Sequence, residues 1–508
     1  MSFTTKQSES KAPGVPEVAT QGAEAHRRDW SWVEASVWNE RMLAGLENGV
    51  KGGKWFSLID KVYRVETLKA AWQKVAANGG AAGVDGQSVK RFAARAEMYL
   101  KELSIALERG TYRPMAVRRV EIAKEKGKMR PLGIPVVKDR IVQTALKFVQ
   151  EPIFEREFLK MSYGFRPGLG CKEALREVDR LLREGYTFVV DADLRSYFDT
   201  IAHARLMECI KEGVSDGRVL ELIEAYLHQD IVKDMEKWRP SGGTPQGAVI
   251  SPLLANIYLH GLDGQMVQKG YRMVRYADAF VVLCRSAEEA QAALAEVKAW
   301  VEVNGLSLNA EKTHVGDCRQ WGQGFDFLGY HFEVRRRWVR RKSLKAMHDR
   351  IRMRTKRTRG DSLAKIIVEL NPTLRGWFNY FKQAHPNTFI WMDSFVRRRL
   401  RAILRKQEKR PGMGVCREDH QRWPTKFFAA QGLFTMHTAW KAGEPIPMRK
   451  PPTGEPCAGE PHARFGGWGR RKPFPTPIDG KTKRRPAFNN LVSNFYSTIL
   501  ELSSSKNW

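Results

Sequence analysis

One stretch restricts the fold more than any other. Residues Tyr271–Cys284 read YRMVRYADAFVVLC, two apolar arms around Ala277–Asp278. That pattern predicts a β-hairpin with an acid at its tip. An earlier run, Tyr186–Leu194 (YTFVVDADL), is rich in β-formers and ends in acids. Paired in one sheet, the two would bring the strand-end Asp193 to the hairpin-tip Asp278. From Val89 to Phe332 helical stretches alternate with short strand-like runs, the mixed pattern of an α+β domain.

The acids alone carry little, because an aspartate at a strand end is commonly a turn residue. Their placement nevertheless suits one chemistry. Nucleotidyl transfer uses two divalent cations roughly 3.5–4 Å apart, held by carboxylates from a strand end and an adjacent hairpin.

Charge points to the same class of partner. The 508 residues carry 86 Lys+Arg against 56 Asp+Glu, a net charge of +30. Such a surplus favours a polyanion, either nucleic acid or an anionic membrane. No apolar run reaches the roughly 18 residues of a membrane span, and Met1–Arg28 has no signal-peptide core, so nucleic acid is the expected partner and the membrane is not. The six cysteines (Cys171, Cys209, Cys284, Cys318, Cys416, Cys457) include no C-x-x-C pair. Neither a disulfide framework nor a Cys-rich zinc site is expected, which fits a reducing cytosol.

Seven ordered blocks, and a further one in the thumb region, then carry a family resemblance. FVVDADLRSYFDTI (Phe188–Ile201), SGGTPQGAVISPLLANIYL (Ser241–Leu259), VRYADAF (Val274–Phe280), GLSLNAEKT (Gly305–Thr313) and FDFLGYHF (Phe325–Phe332) resemble the palm motifs of group II intron reverse transcriptases. KEKGKMRPLGIPVVKDRIVQ (Lys124–Gln143) is similar to their fingers segment, and YGFRPG (Tyr163–Gly168) to a further block. LNPTLRGWFNYF (Leu370–Phe381) resembles the maturase thumb. The resemblance implies an α+β right hand: fingers, a palm with an antiparallel sheet, and an α-helical thumb. It implies Mg²⁺ held by Asp193 and Asp278, and a deoxynucleoside triphosphate as substrate. Lys124 and Arg130 would neutralise the triphosphate. Tyr197 and Phe198 would pack near the incoming sugar and exclude a 2′-hydroxyl, while Gln246, Gly247 and Lys312 complete the nucleotide site.

One position departs. Where the family has the second aspartate of Tyr-Ala-Asp-Asp, this chain has Ala279. A methyl group ligates no metal, so the resemblance implies impaired or absent DNA synthesis. A decaying enzyme would show several defects, whereas one exchange in an otherwise intact set has the form of a point inactivation. Asp191 shares a strand face with Asp193, but the family does not use that position as its main ligand.

The thumb region is basic. Arg335–Gly360 contains 13 Lys/Arg and one acid, Asp349. Such a run is either a solvated helix face or a phosphate-binding surface, and its density favours the second. The candidate RNA contacts are Arg335, Arg336, Arg337, Arg340, Arg341 and Lys342, with Arg397, Arg398, Arg399, Arg401 and Arg405 on a later helix. Trp338 adds a stacking surface. Helices are expected from Trp30 to Tyr63, from Val65 to Val75, from Asn371-Pro372 onward and after Pro386.

The expected layout is a disordered segment (1–28), an N-terminal extension (29–88), fingers and palm (89–335), thumb (336–410) and a basic C-terminal region without endonuclease (411–508). The extension either grips the intron RNA or caps the fingers. Thr453–Gly480 either contacts DNA or is a disordered tail. The resemblance implies a maturase bound to its intron RNA, assisting splicing and reverse splicing into target DNA. It would act in the bacterial cytoplasm near the nucleoid, and dimerise before RNA binds. The competing reading is a domesticated reverse transcriptase of phage defence or CRISPR adaptation.

Overall fold

The computed structural model describes residues 30–443, apart from 51, 124–128, 235 and 334–335. The expectations for Met1–Arg28, Lys124, Arg335 and Thr453–Gly480 therefore fall outside the described residues. The strands, in chain order, are β1 (Val117–Ala123), β2 (Met129–Ile134), β3 (Phe188–Asp193), β4 (Ile231–Lys233), β5 (Glu236–Trp238), β6 (Arg272–Tyr276), β7 (Ala279–Cys284), β8 (His314–Asp317), β9 (Phe325–Phe327), β10 (Tyr330–Glu333) and β11 (Arg336–Val339).

Three sheets result, ordered β2-β1-β4-β5, β6-β7-β3-β8 and β11-β10-β9. The central one is the palm and is antiparallel throughout. Alternation along β7 splits its side chains between two cores. Phe280, Val282 and Cys284 join a core that includes Leu262, Ala290 and Val297 of the helices Ser251–Gln268 and Ala287–Val303. Val281 and Leu283 join a second core with Ala174 and Val178 of the helix Cys171–Arg183 and the apolar residues of the thumb. Period-two alternation thus lets one strand serve two layers.

The first sheet forms the fingers. Behind it runs the helix Val137–Glu157, buried along most of its circumference, as expected of a helix that is not restricted to one apolar stripe. After Arg341 the chain is helical: Arg341–Arg354, Leu363–Phe381 and Asn387–Gln407 form a bundle. Fingers, palm and thumb make up the expected α+β right hand.

Local expectations differ from the structure in two places. Residues 30–38 are turns, and the first helix spans Glu40–Asn48, capped by the Asn39 side chain at 3.0 Å from the Met42 amide. Without a helix here, the adjacent Val37 and Trp38 are both buried in the core, and Trp38 donates from Nε1 to the Phe148 carbonyl at 2.8 Å. The thumb helix begins at Leu363, not at Asn371-Pro372. Ser362 caps it, and Pro372 lies inside. Ile366, Ile367 and Leu370 bury the earlier turns, which offsets the backbone hydrogen bond that proline removes. Asn371 instead clamps a later loop, donating to the Gly432 carbonyl and accepting from the Phe434 amide, each at 2.8 Å.

The domain boundaries also shift. Residues 336–339 are a strand paired with β10, so the helical thumb starts at Arg341. Residues up to Met436 pack into the thumb core through Trp423, Phe428, Leu433 and Met436. The thumb therefore extends past Pro411.

Candidate active site

The register of the palm places the acids. β3 pairs with β7 so that Asp193 lies directly opposite Ala279. β6 and β7 close a two-residue hairpin loop, Ala277–Asp278, with Tyr276 opposite Ala279. Ala277 takes a left-handed φ of 58°, which turns the chain tightly enough to leave Asp278 at the tip. Asp193, at the end of β3, is 8% exposed.

The block Gly305–Thr313 runs alongside this strand end. Arg195 donates to the Ser307 carbonyl at 2.9 Å and Asn309 to the Asp193 carbonyl at 2.8 Å. The following turn delivers Lys312, whose Nζ lies 2.9 Å from Asp193 Oδ2. Burial pushes the Asp193 carboxyl up to about 6, with Lys312 pulling it down and Asp278 pushing it further up. Burial also raises Asp278, opposed by a backbone hydrogen bond and by Arg130, Lys312 and Arg275. These two acids disfavour each other's charge, which is the electrostatic signature of a cation site.

The donor set is short. Cross-strand Cβ atoms lie about 4.5–5.5 Å apart, so a carboxylate at 279 would stand beside Asp193 on one face of the sheet, and the methyl of Ala279 leaves that place without an oxygen. Among the described residues no group of three or more His, Cys, Asp or Glu could hold a metal ion. Asp193 and Asp278 stand at the same end of the palm sheet, and position 279, opposite Asp193, supplies no oxygen. Asp191 lies opposite Val281 and His314, two residues further from the hairpin tip.

The fingers join the palm here. Arg130 Nε donates to Gln246 Oε1 at 3.0 Å, and Gln246 Nε2 reaches Asp199 Oδ2 at 3.5 Å. The Gly133 amide donates to the Gln246 carbonyl at 2.7 Å. Gly247 has φ +113° and lies so close to the Gly133 carbonyl that a Cβ could not fit; any other residue would push the fingers strand away. Phe198 is half-buried and packs edge-on against Phe165, with ring centres 6.2 Å apart. Tyr197 is 2% exposed and donates its hydroxyl to the Ala255 carbonyl at 2.6 Å. Its ring lies edge-on to that of Phe198, with centres 5.5 Å apart, so the buried ring backs the half-buried one.

A supporting network escaped the sequence. Arg275 is fully buried on β6 and forms a two-pronged pair with Asp263, at 2.7 and 2.5 Å. It also donates to Asn256 Oδ1 at 2.9 Å and to the Ala277 carbonyl at 3.1 Å. Asn256 donates onward to the Gly164 carbonyl at 2.7 Å, and Gly164 lies against the Ala277 backbone with no room for a Cβ. The hairpin tip is thus tied to the helix Ser251–Gln268 and to the YGFRPG block. The available signal was an arginine within an apolar strand and an asparagine within an apolar helix, both rarely buried unless paired.

The basic residues divide. Arg336, Arg341 and Arg398 are exposed, and Lys342 and Arg397 half-buried. Arg337, Arg340, Arg399, Arg401 and Arg405 have partners within the protein. Arg337 pairs with Asp179 at 2.7 Å and Arg340 with Asp326 at 2.8 Å. Arg399 donates to the Thr355 hydroxyl and carbonyl at 3.1 and 2.7 Å. Arg401, 3% exposed, donates to the Trp423 carbonyl at 3.0 Å, and Arg405 pairs with Asp419 at 2.8 Å. No helix among the described residues is long and apolar enough to cross a membrane.

Residues 122–332 match the family described as reverse transcriptase (RNA-dependent DNA polymerase), and residues 344–423 match the group II intron, maturase-specific domain. Protein YkfC of Escherichia coli (strain K12) is 34% identical over 298 residues, covering 50% of this chain and 76% of YkfC. The group II intron-encoded protein LtrA of Lactococcus lactis subsp. cremoris is 36% identical over 208 residues, 40% of this chain and 34% of LtrA. The chain thus spans about a third of LtrA's length. A solved Cas6-RT-Cas1--Cas2 complex shares 26% identity over 48% of this chain and 42% of that one, with a TM-score of 0.32, too low to bear on the fold. With a reverse-transcriptase palm followed directly by a maturase-specific thumb, the chain belongs to the group II intron-encoded reverse transcriptase/maturase family.

Proposed function

We propose that this chain is an intron maturase whose polymerase centre is silenced at one position. It binds its group II intron RNA, assists splicing and reverse splicing into target DNA, and synthesises DNA poorly or not at all. The observation that carries this reading is the register of the palm, where Ala279 faces Asp193 across two paired strands.

The rest of the site supports polymerase ancestry. Asp193 and Asp278 would hold a divalent ion, Mg²⁺ in this reading, which when bound would acidify a primer 3′-hydroxyl and neutralise a triphosphate. Arg130, oriented by Gln246, and Lys312 bring positive charge to the same place. Phe198 would stand where a ribose 2′-hydroxyl would clash. Lys312 now neutralises Asp193 directly, which keeps the buried carboxylate tolerable without a full ligand set.

RNA binding rests on the exposed cations of the thumb. Phosphate contacts hold a folded RNA without reading much sequence, which suits a protein that stabilises an RNA while the RNA performs the splicing chemistry. Target DNA would be met through that RNA, near the bacterial nucleoid.

The test compares this chain with Ala279→Asp for primer extension on an RNA template and for splicing of the intron that encodes it at low Mg²⁺. Splicing supported by both, with extension only by the substituted protein, is the expected result. Extension by the present chain at the rate of the substituted one would show that two carboxylates suffice.

A further inference from the structure

An aromatic ladder on the outside of the thumb base has no role in the centre described above. Trp338 stacks on His385, with ring centres 4.3 Å apart and planes at 30°. It also lies parallel to Trp391, at 6.4 Å and 6°. The three rings come from different elements: Trp338 from β11, His385 from the turn before the last thumb helix, and Trp391 from the first turns of that helix. The turn is fixed to β11 by the His385 amide, which donates to the Arg337 carbonyl at 2.7 Å. Three converging elements hold the ladder rigid, yet its outermost ring is 62% exposed.

An exposed tryptophan backed by two further rings offers a flat face to a ligand. Charge decides which. Arg336 shares the face of β11 with Trp338 and is exposed; burial lowers the His385 pKa, and Arg336 lowers it further. Lys382 and Arg341 are also exposed. Among the acids of the neighbouring strands, Asp326 is held by Arg340 and His331, each at 2.8 Å, while Glu333, cross-strand from Arg336, accepts from the Gly322 amide at 2.6 Å. A flat ring beside several exposed cations, with one acid cross-strand from Arg336, suits a base with its phosphates, since every base has a π-face and every linkage a negative charge.

We propose that Trp391, backed by Trp338 and His385, is a stacking site for an unpaired base of bound RNA, with Arg336 taking an adjacent phosphate. The proposal rests on the RNA-binding reading above and extends it: the thumb holds not only backbone phosphates but one splayed-out nucleotide. A base paired within a helix has no free face to offer, so the site selects single-stranded positions.

The full chain and its Trp391→Ala and Trp391→Phe variants are titrated with an oligo-A RNA carrying one 2-aminopurine, with the DNA oligomer of the same sequence, and with a blunt RNA duplex. Trp391→Ala should weaken oligo-A RNA binding about tenfold and abolish the 2-aminopurine quenching, as loss of one base–aromatic stack requires. Trp391→Phe should retain both, and duplex binding should be unchanged in all three proteins. Stronger weakening on DNA than on RNA would assign the site to the target strand and overturn the RNA assignment. Oligo-A affinity and quenching unaltered by Trp391→Ala, while all three proteins still bind duplex, would overturn the platform and leave the RNA-binding reading standing. Failure of the unsubstituted chain to bind any of the probes would overturn both. Self-association lost on Trp391→Ala, measured by sedimentation without RNA, would show that a second copy covers the face, and would also refute the proposal.

Discussion

The palm hairpin and the thumb both concentrate charge, but they hold it differently. In the palm, Arg275 is sealed from water against Asp263, and it fixes the backbone at Ala277 and the side chain of Asn256. In the thumb, Arg336, Arg341 and Arg398 stand in solvent, while Arg340, Arg401 and Arg405, close to them in sequence, are tied to acids or carbonyls. A palm residue is placed by strand register, so its neighbours follow from the pairing. The availability of a thumb arginine depends on what folds back over it. Charge in the first region is structure, and in the second it divides into structure and binding surface.

The sharpest way to break this contrast is to remove one partner of the buried pair. Arg275→Leu leaves Asp263 buried without a counter-charge, and should cost about 3–5 kcal/mol of stability, read as a large fall in Tm. Arg398→Gln, on the solvent side of the thumb, should leave Tm within the experimental scatter. Equal losses at the two positions would mean that the thumb arginine is as structural as the palm one.

A second buried acid tests whether the fingers follow the palm's rule. Asp139 is 1% exposed and accepts from Tyr112 at 2.6 Å, Gln229 at 2.7 Å and the Met115 amide at 3.1 Å. Burial raises its pKa to about 7, against these hydrogen bonds. A carboxyl that binds its proton more tightly when folded stabilises the protein fully below its unfolded pKa, and loses that contribution as pH rises through the folded value. Stability should therefore fall between about pH 4 and 7, by roughly 4 kcal/mol for a shift of this size. Asp139→Asn, which can keep the same partners with its amide turned towards Tyr112, should flatten that slope. A slope that persists in the variant would place the proton elsewhere.

The same contrast explains what could be read from the chain beforehand. The strand Phe188–Asp193 and the hairpin about Asp278 were legible because alternation and a two-residue turn determine a register, and the register determines Asp193 opposite Ala279. Lys312 was legible as part of a block, but not as the partner of Asp193, since that contact crosses from one segment to another. Tyr197 and Phe198 are adjacent in sequence, yet the fold buries one ring and leaves the other half-buried. In the thumb, eleven basic positions read alike along the chain. Asp179, Asp326 and Asp419, each distant in sequence, decide which of Arg337, Arg340 and Arg405 are used up.

The division among thumb arginines can be measured through salt. The exposed set, Arg336→Gln, Arg341→Gln and Arg398→Gln together, should weaken RNA binding about tenfold and lower the salt slope by about 2, at roughly 0.7 per phosphate contact on single strands. Tm should hold. Arg340→Gln or Arg401→Gln should do the reverse, lowering Tm with little change of slope. If the buried substitutions also flatten the slope without loss of Tm, the intramolecular pairs open when RNA binds, and the boundary between structure and surface is softer than these contacts imply.

The smallest effect bears on the palm itself. Placing an acid opposite Asp193 by Ala279→Asp adds a third carboxylate to a region where Asp193 is already pushed up to about 6 by burial and by Asp278. Without metal the new charge should lower stability by about 1 kcal/mol, as like charges at a cross-strand position do. Millimolar Mg²⁺ binds only the folded site and should more than restore the loss, whereas the present chain, with two carboxylates and Lys312 against one of them, should gain little. The difference between the two Mg²⁺-induced Tm shifts measures what the missing oxygen is worth to the metal, independently of any turnover. Equal shifts would show that position 279 does not ligate, and the proposed silencing at the β3–β7 pair would fall.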